Sequence, residues 1–438
     1  MDWWLVLLIL FGGLFVSLSI GMPVAFSFLI MSLIGSAIYL GGHAGLVQLI
    51  YSSMGSVMSF TLLPVPLFIL MGEVMFATRI GLLAIDTVNE LLGRLPGRLA
   101  ILSIGSGAIV GALCGSALAS TALHGKLLLP EMFEKKYSKF LSLGPIIASG
   151  SLAMVIPPTA LGVLLASLAH VSVGNFLIGC ILPGILLAVV DALYILVACL
   201  VRPSLAPAYE VSRKPMSQRL LSVGRNVLPM ALIVFLVTVT IYIGICTPSE
   251  AAALGTGGTI LLAAIYRQLT PEMMKKAIDG TLRTTVMIFL ILVGSTAFSQ
   301  ILAFSGAGAA ITELTVKLPL SPIQLIIAMQ FIVIVLGCFM DQLSILMITL
   351  PIFMPIIQKI GFNEMLFIIM LLINVEMAGK TPPFGMSLFV MKGIAPPSVT
   401  TVDIYKSVFP FILCDMLVMA LLLIFPPFAL WLPGLIKG

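Results

Sequence analysis

The sequence predicts an all-α polytopic membrane protein made of two inverted repeats. Three observations predict it. The 438-residue chain is 60% hydrophobic and 9% charged, with a mean hydropathy of +1.22; in a soluble domain about a quarter of residues are charged. Apolar runs of about 18 residues or more recur from end to end, the length needed to cross ~30 Å of hydrocarbon. One pattern also occurs twice, about 225 residues apart: IPPTALGVLL around Pro157 and TPPFGMSLFV around Pro382. Pro130 matches Pro355 and Pro23 matches Pro248 at the same spacing, and LFILMG ending at Gly72 resembles FLILVG ending at Gly294. Inverted repeats with broken helices near mid-membrane mark secondary transporters.

Ten full spans are read at 3–20, 22–40, 60–78, 139–169, 175–201, 226–245, 247–266, 284–304, 364–392 and 407–433. The apolar stretches 99–122 and 323–358 have small polar residues at their middles and read as re-entrant hairpins. The first repeat is 1–201, with hairpin 99–122 and broken span 139–169. A connector, 202–225, leads to the second repeat, 226–438, with hairpin 323–358 and broken span 364–392. Five spans per copy is an odd number, so the second copy is inverted.

The basic residues support this arrangement. With the N-terminus outside, 18 of the 22 Lys and Arg fall inside, three (Lys317, Lys359, Lys437) outside, and Lys380 at membrane depth. The inside set includes Arg79, Arg94, Arg213 and Lys214. Making either hairpin a full span would flip every later loop and break the positive-inside rule. The net charge of +5 therefore comes from topogenic loops, not from a nucleic-acid surface. Segment 271–283 reads as an interfacial amphipathic helix; its counterpart, 42–58, has no Lys or Arg. The run Trp3–Ile20 has no basic residue before it and reads as a retained helix. The six cysteines are scattered and read as packing residues. His43, His124 and His170 read as loop residues far apart, with no zinc or Ser-His-Asp grouping, so the chain is not read as an enzyme.

Irregular backbone at membrane depth is tolerated only inside protein or beside water. Each Pro-Pro deletes two backbone donors and turns the chain off the helical path. The freed carbonyls, with hydroxyl and carboxylate oxygens, make a hard oxygen cage suited to Na⁺. The ion-binding candidates are Gly115, Ser116, Ser149, Ser151, Pro157 and Thr159 in the first copy, and Asp341, Gln342, Ser344, Glu376, Gly379, Thr381 and Pro382 in the second. Ser116, Pro158, Lys380 and Pro383 are the substrate-contact candidates. A plainer reading has the prolines as kinks and the glycines as close-packing positions. Glu376 and Lys380, four apart, read either as an i,i+4 ion pair or as a pair in which Lys380 meets a substrate carboxylate. Glu73, Asp191, Glu250 and Asp415 read as structural.

The motifs GMPVAFSFL (21–29), PLFILMGEVM (66–75), LLLPEM (127–132), IPPTALG (156–162), ILPGILLA (181–188), TPSEAAALG (247–255), DQLSILMITLPIFMPI (341–356), TPPFGMSLFV (381–390) and FPPFALWLP (425–433) together resemble the large membrane subunit of tripartite ATP-independent periplasmic (TRAP) transporters, the DctM-like family. At Lys380 the chain departs from the family pattern, where an uncharged residue is expected. The resemblance implies Na⁺-coupled uptake of small organic anions, such as C4-dicarboxylates or sialic acid, across the bacterial inner membrane, without an organic cofactor. It implies an elevator mechanism with scaffold and transport domains. It also implies two partners, a small four-helix membrane subunit and a periplasmic substrate-binding protein. A stand-alone carboxylate or ion antiporter with the same inverted architecture is the alternative.

Overall fold

The computed structural model describes residues 3–39, 41–78, 80–92, 95–207 and 215–435, and these form helices joined by turns with no strand. The first half contains α1 (Trp3–Ser19), α2 (Val24–Tyr39), α3 (His43–Val57), α4 (Pro64–Ala77), α5 (Ile80–Leu91), α6 (Arg98–Cys114), α7 (Ala117–Glu134), α8 (Lys139–Val155), α9 (Ala160–Leu168), α10 (Val173–Gly179) and α11 (Ile181–Val201). Helix α12 (Met216–Asn226) forms the second part of the connector. The second half contains α13 (Leu228–Tyr242), α14 (Pro248–Ile265), α15 (Pro271–Phe304), α16 (Ala307–Val316), α17 (Pro322–Gly337), α18 (Gln342–Lys359), α19 (Glu364–Ala378), α20 (Met386–Ile394), α21 (Thr401–Ile424) and α22 (Pro427–Gly434).

Local chemistry sets these boundaries. Proline occupies the first turn of α4, α13, α14, α15, α17 and α22, where its missing N–H costs nothing. Side-chain oxygens of Ser138, Ser172, Thr247, Thr270, Ser321, Asn363 and Thr400 accept hydrogen bonds from first-turn amides. These are ordinary N-caps.

The series α6, α7, α8, break, α9 recurs as α17, α18, α19, break, α20. The break in the first half holds Pro157–Pro158 and that in the second Pro382–Pro383; both Pro-Pro bonds are cis. Helices α8 and α19 form the centre, with every residue from Leu141 to Ala153 and from Leu366 to Ala378 buried. A helix that is apolar on all sides belongs inside a protein or a membrane. Helix α6 packs on α8 and α17 on α19. Both crossings use the same device: a Cβ on Gly111 would lie 2.7 Å from the Ala153 Cβ, and one on Gly337 would lie 2.3 Å from the Ala378 Cβ.

Several expectations are corrected. Segment 271–283 is not a separate interfacial helix: α15 runs unbroken for 34 residues, and Gly280 lets it lie against the Glu73 carboxylate. The span expected at 407–433 ends at Ile424 and resumes as α22 after Pro426. The span expected at 175–201 is one apolar segment, Val173–Val201, interrupted only at Cys180 between α10 and α11. The first hairpin is longer than 99–122, its arms being α6 and α7. His124 is not a loop residue. It is fully buried in α7, with Nε2 2.9 Å from Ser106 Oγ and Nδ1 2.8 Å from the Ser120 carbonyl oxygen. Among the described residues, five helical segments are long and apolar enough to cross a membrane alone, or seven counting bent pairs; α1 and α2 have 17 and 16 residues. Arg79, Arg94, Arg213, Lys214 and Lys437, used in the charge argument, lie outside the described residues.

The glycine crossings give a direct test. Gly111→Ala and Gly337→Ala each force a methyl into a closed contact and should cost about 1–3 kcal/mol. Gly105→Ala, in α6 with nothing within 4 Å, should be neutral or stabilising. Thermal unfolding of the purified chain in detergent separates these outcomes.

Candidate functional site

At the first hairpin tip, α6 ends on Gly115 in the left-handed region (φ 59°), its N–H donating to the Gly111 carbonyl. Ser116 then caps α7, accepting from the Ala119 N–H at 3.4 Å. The start of α7 lies on the break-bearing helix: a Cβ on Gly150 would meet Thr121 Oγ1 at 2.1 Å and the Ala117 carbonyl oxygen at 2.7 Å. Ser149 and Ser151 flank that glycine. Ser149 Oγ donates to the Ile146 carbonyl at 2.7 Å, leaving its lone pairs free. Past the buried Pro157–Pro158, Thr159 caps α9 by accepting from the Gly162 N–H at 3.2 Å. The structure thus brings the start of α7 against α8 around Gly150, upstream of break 1.

The second half repeats this with more charge. Asp341, at the position equivalent to Ser116, caps α18. Its Oδ2 accepts from the Leu343 and Ser344 N–H groups at 3.1 and 3.2 Å, and its Oδ1 takes the Ser344 hydroxyl. Gln342 Nε2 donates to Glu376 Oε2 at 3.2 Å and lies over Gly379, where a Cβ would be 2.7 Å away. Tip 2 and break 2 therefore meet through the pair Gln342–Glu376. Within the break, the Ser387 N–H donates to the Gly379 carbonyl and the Gly385 N–H to the Thr381 carbonyl, both at 3.0 Å. Thr381 Oγ1 donates to the Met377 carbonyl at 2.8 Å. The Phe339 and Phe384 rings, 6.3 Å apart, also link tip 2 to this loop.

Lys380 differs from expectation. Helix α19 ends at Ala378, so Lys380 has left the helical path and does not pair with Glu376. Its ammonium sits 2.7 Å from Asp415 Oδ2 on α21, with both side chains almost fully buried. Asp191 on α11, Glu376 and Ser151 line the same cavity of about 10 Å³. That volume admits about one water, not an organic solute. Asp191 Oδ1 and Glu376 Oε1 are buried there without a hydrogen-bond partner. Of the other substrate-contact candidates, Pro158 is buried, Ser116 half-buried and Pro383 exposed; the Pro383 carbonyl accepts from the Tyr405 hydroxyl at 2.9 Å.

The donors present fit a hard monovalent cation better than a transition metal. Hydroxyl oxygens lie at the first tip and break, and carboxylate, amide and hydroxyl oxygens at the second. Thr121 Oγ1 and Glu376 Oε1 are buried and unpartnered. Among the described residues, no group of three or more His, Cys, Asp or Glu is placed to hold a metal.

Two larger cavities, of about 610 and 710 Å³, lie elsewhere and share Ser59, Ser167 and His170. None of the predicted site residues lines either. The first runs between α3, the end of α9, α15 and α18. Its wall on α15 is Ser295, Thr296, Ser299 and Gln300, two i,i+4 polar pairs inside an apolar span. That i,i+4 periodicity is a signal the sequence itself carries.

The buried pair gives the next test. Removing one partner strands the other charge, so Lys380→Met should destabilise by about 3–5 kcal/mol, whereas Lys380→Met combined with Asp415→Leu should recover most of that loss. Unfolding midpoints in detergent would show whether the double variant is more stable than the single one.

Comparison with known proteins bears on the family. The profile of the tripartite ATP-independent periplasmic transporter DctM component matches residues 11–428. The chain is 30% identical over 435 residues to the uncharacterized protein YgiK of Salmonella typhimurium, covering 98% of this chain and 97% of that one. It is 29% identical to the ectoine TRAP transporter large permease TeaC of Halomonas elongata (95% and 96% covered) and 26% identical to the sialic acid large permease SiaM of Vibrio cholerae (95% and 96%). Among solved structures, the Alcanivorax borkumensis YdaH transporter superposes with a TM-score of 0.67 over 94% of this chain and 98% of that one, at 14% identity; this likeness speaks to fold alone. A family profile spanning nearly the whole chain settles the assignment: the protein belongs to the DctM family, the large membrane permease component of TRAP transporters.

Proposed function

We propose that the chain is the large subunit of a Na⁺-coupled transporter that takes up small organic anions across the bacterial inner membrane. The observation that carries this reading is the pairing of each Pro-Pro break with a capped hairpin tip, in the same order in both halves. The two halves face opposite ways across the bilayer, with the N-terminus periplasmic; the distribution of Lys and Arg supports this. The ions are held at tip and break by Ser116, Ser149, Ser151 and Thr159 in the first half, and by Gln342, Glu376, Gly379 and Thr381 in the second. Bound Na⁺ supplies positive charge that offsets carboxylate and carbonyl oxygens in a low-dielectric interior. The partners are a small membrane subunit and a periplasmic binding protein. The solute classes of relatives, which include ectoine and sialic acid, set the range to be tested.

Movement follows an elevator scheme in which the hairpins and broken spans slide against the remaining helices. The asymmetry between equivalent contacts supports this. Helix α7 packs on α20, where a Cβ on Gly125 would lie 3.4 Å from Ile394. The equivalent residues of the other half, Leu350 and Ala169, line the 610 Å³ cavity instead. Exchanging the two arrangements closes one side and opens the other.

Two experiments test this. Proteoliposomes holding the complete transporter should accumulate solute when an inward Na⁺ gradient is imposed; uptake indifferent to Na⁺ refutes the coupling. An Ala169→Cys, Leu350→Cys pair should cross-link during turnover and arrest transport reversibly on oxidation. A pair that never cross-links rules out the elevator exchange.

A further inference from the structure

The larger cavity between α3, α9, α15 and α18 carries information about the solute that the family assignment does not. Its volume of about 610 Å³ is that of a small-molecule site. It opens into the adjoining 710 Å³ cavity on the side that carries Ser59, Ser167 and His170. The charge pattern places that side outside, where solute arrives.

No Lys, Arg, Asp or Glu among the described residues lines either cavity. A dianion entering here would shed water without meeting a cationic side chain, which is strongly unfavourable. The polar lining is weighted toward acceptors, although Ser52 Oγ has no partner and keeps its proton. The hydroxyl of Ser299 already donates to the Ser295 carbonyl at 2.8 Å, that of Ser56 to the Ser53 carbonyl at 2.8 Å, and that of Ser295 to the Leu292 carbonyl at 3.2 Å. Their protons are committed, and what they offer the cavity is oxygen lone pairs. Helix α18 adds to this. Pro351 and Pro355 lie inside it, and each lacks the N–H that would cover the carbonyl four residues earlier. The carbonyls so uncovered belong to Met347 and Pro351, both cavity residues. Gln300 and Gln358 supply the mixed donors and acceptors that orient a ligand.

From this we infer that the cavity is a solute-binding site selective for a donor-rich solute, one bearing several hydroxyl or N–H groups and no more than one carboxylate, and that it discriminates against dicarboxylates. This rests on the transport reading above and narrows its substrate class. Carbonyl and serine oxygens attract O–H and N–H groups and repel a second carboxylate. Specificity of this kind comes from leaving the wrong ligand's charge unpaired.

The test uses the purified full chain in detergent and three probes: sialic acid, ectoine and succinate. Sialic acid or ectoine should raise the unfolding temperature saturably, and succinate at the same concentration should not. Ser299→Phe, which fills the cavity, should abolish that rise. Thr296→Val with Gln300→Leu, which keeps volume and removes polar groups, should weaken apparent affinity about tenfold. If Ser299→Phe does not fold, the second variant decides alone. Succinate stabilising as strongly as the other two overturns the inference, as does stabilisation that survives the variants or no response to any probe. The two readings fail separately: uptake driven by Na⁺ but preferring succinate removes this inference and leaves the coupling intact. Binding of sialic acid or ectoine with Na⁺-indifferent uptake does the reverse.

Discussion

The whole architecture depends on one constraint: backbone amides and carbonyls cannot be left bare in hydrocarbon. Two breaks at membrane depth expose such groups twice over, and the chain covers them with itself. In the second break the carbonyls of Gly379 and Thr381 take the N–H groups of Ser387 and Gly385. In the first, Thr159 caps the next helix at once. The hairpin tips bring their own caps, Ser116 and Asp341. A break satisfied this way must lie at the centre of the protein, which is why α8 and α19 are buried along nearly their whole length.

Burial at the centre in turn sets the side chains. Two helix arms must approach each broken span closely enough to exclude lipid and water, and glycine facing alanine is what permits it. The Gly111–Ala153 and Gly337–Ala378 contacts bring the hairpin arms onto the broken spans. The tips are then close enough to present hydroxyl and carboxylate oxygens to the breaks. Packing and site are therefore one design, and a change in the crossing shifts the oxygens as well.

Much of this was legible in the sequence. Proline and glycine act through the backbone, so their consequences are local and can be read by position. The paired breaks, the hairpins and the all-helical membrane architecture were found that way. Partnerships between distant elements were not. The i,i+4 rule that would pair Glu376 with Lys380 assumes a continuous helix, and the helix stops at Ala378. Once off the path, the ammonium reaches Asp415 on α21, a contact that spacing along the chain cannot reveal. The unbroken α15 was missed for the opposite reason: a change from amphipathic to apolar character looks like a boundary, but no proline interrupts the chain between Pro271 and Phe304. The polar face of Ser295, Thr296, Ser299 and Gln300 was readable in principle from its helical period.

The two halves share a plan but differ in charge at equivalent positions. Where the second half has Glu376 and Lys380, the first has Ser151 and Val155; Asp191 lies on α11 and Asp415 on α21. One ammonium thus serves a pair of aspartates, one from each half, and is bound to the second half's own. A duplicated scaffold gives matched backbone sites without requiring matched electrostatics. The first break has no charged residue of its own, but Ser151 lines the cavity that holds Asp191, Glu376 and Lys380. The second already contains a fixed positive charge and a surplus of carboxylate, so an ion arriving there enters a different field. Similar breaks in the backbone therefore do not imply equal ion sites.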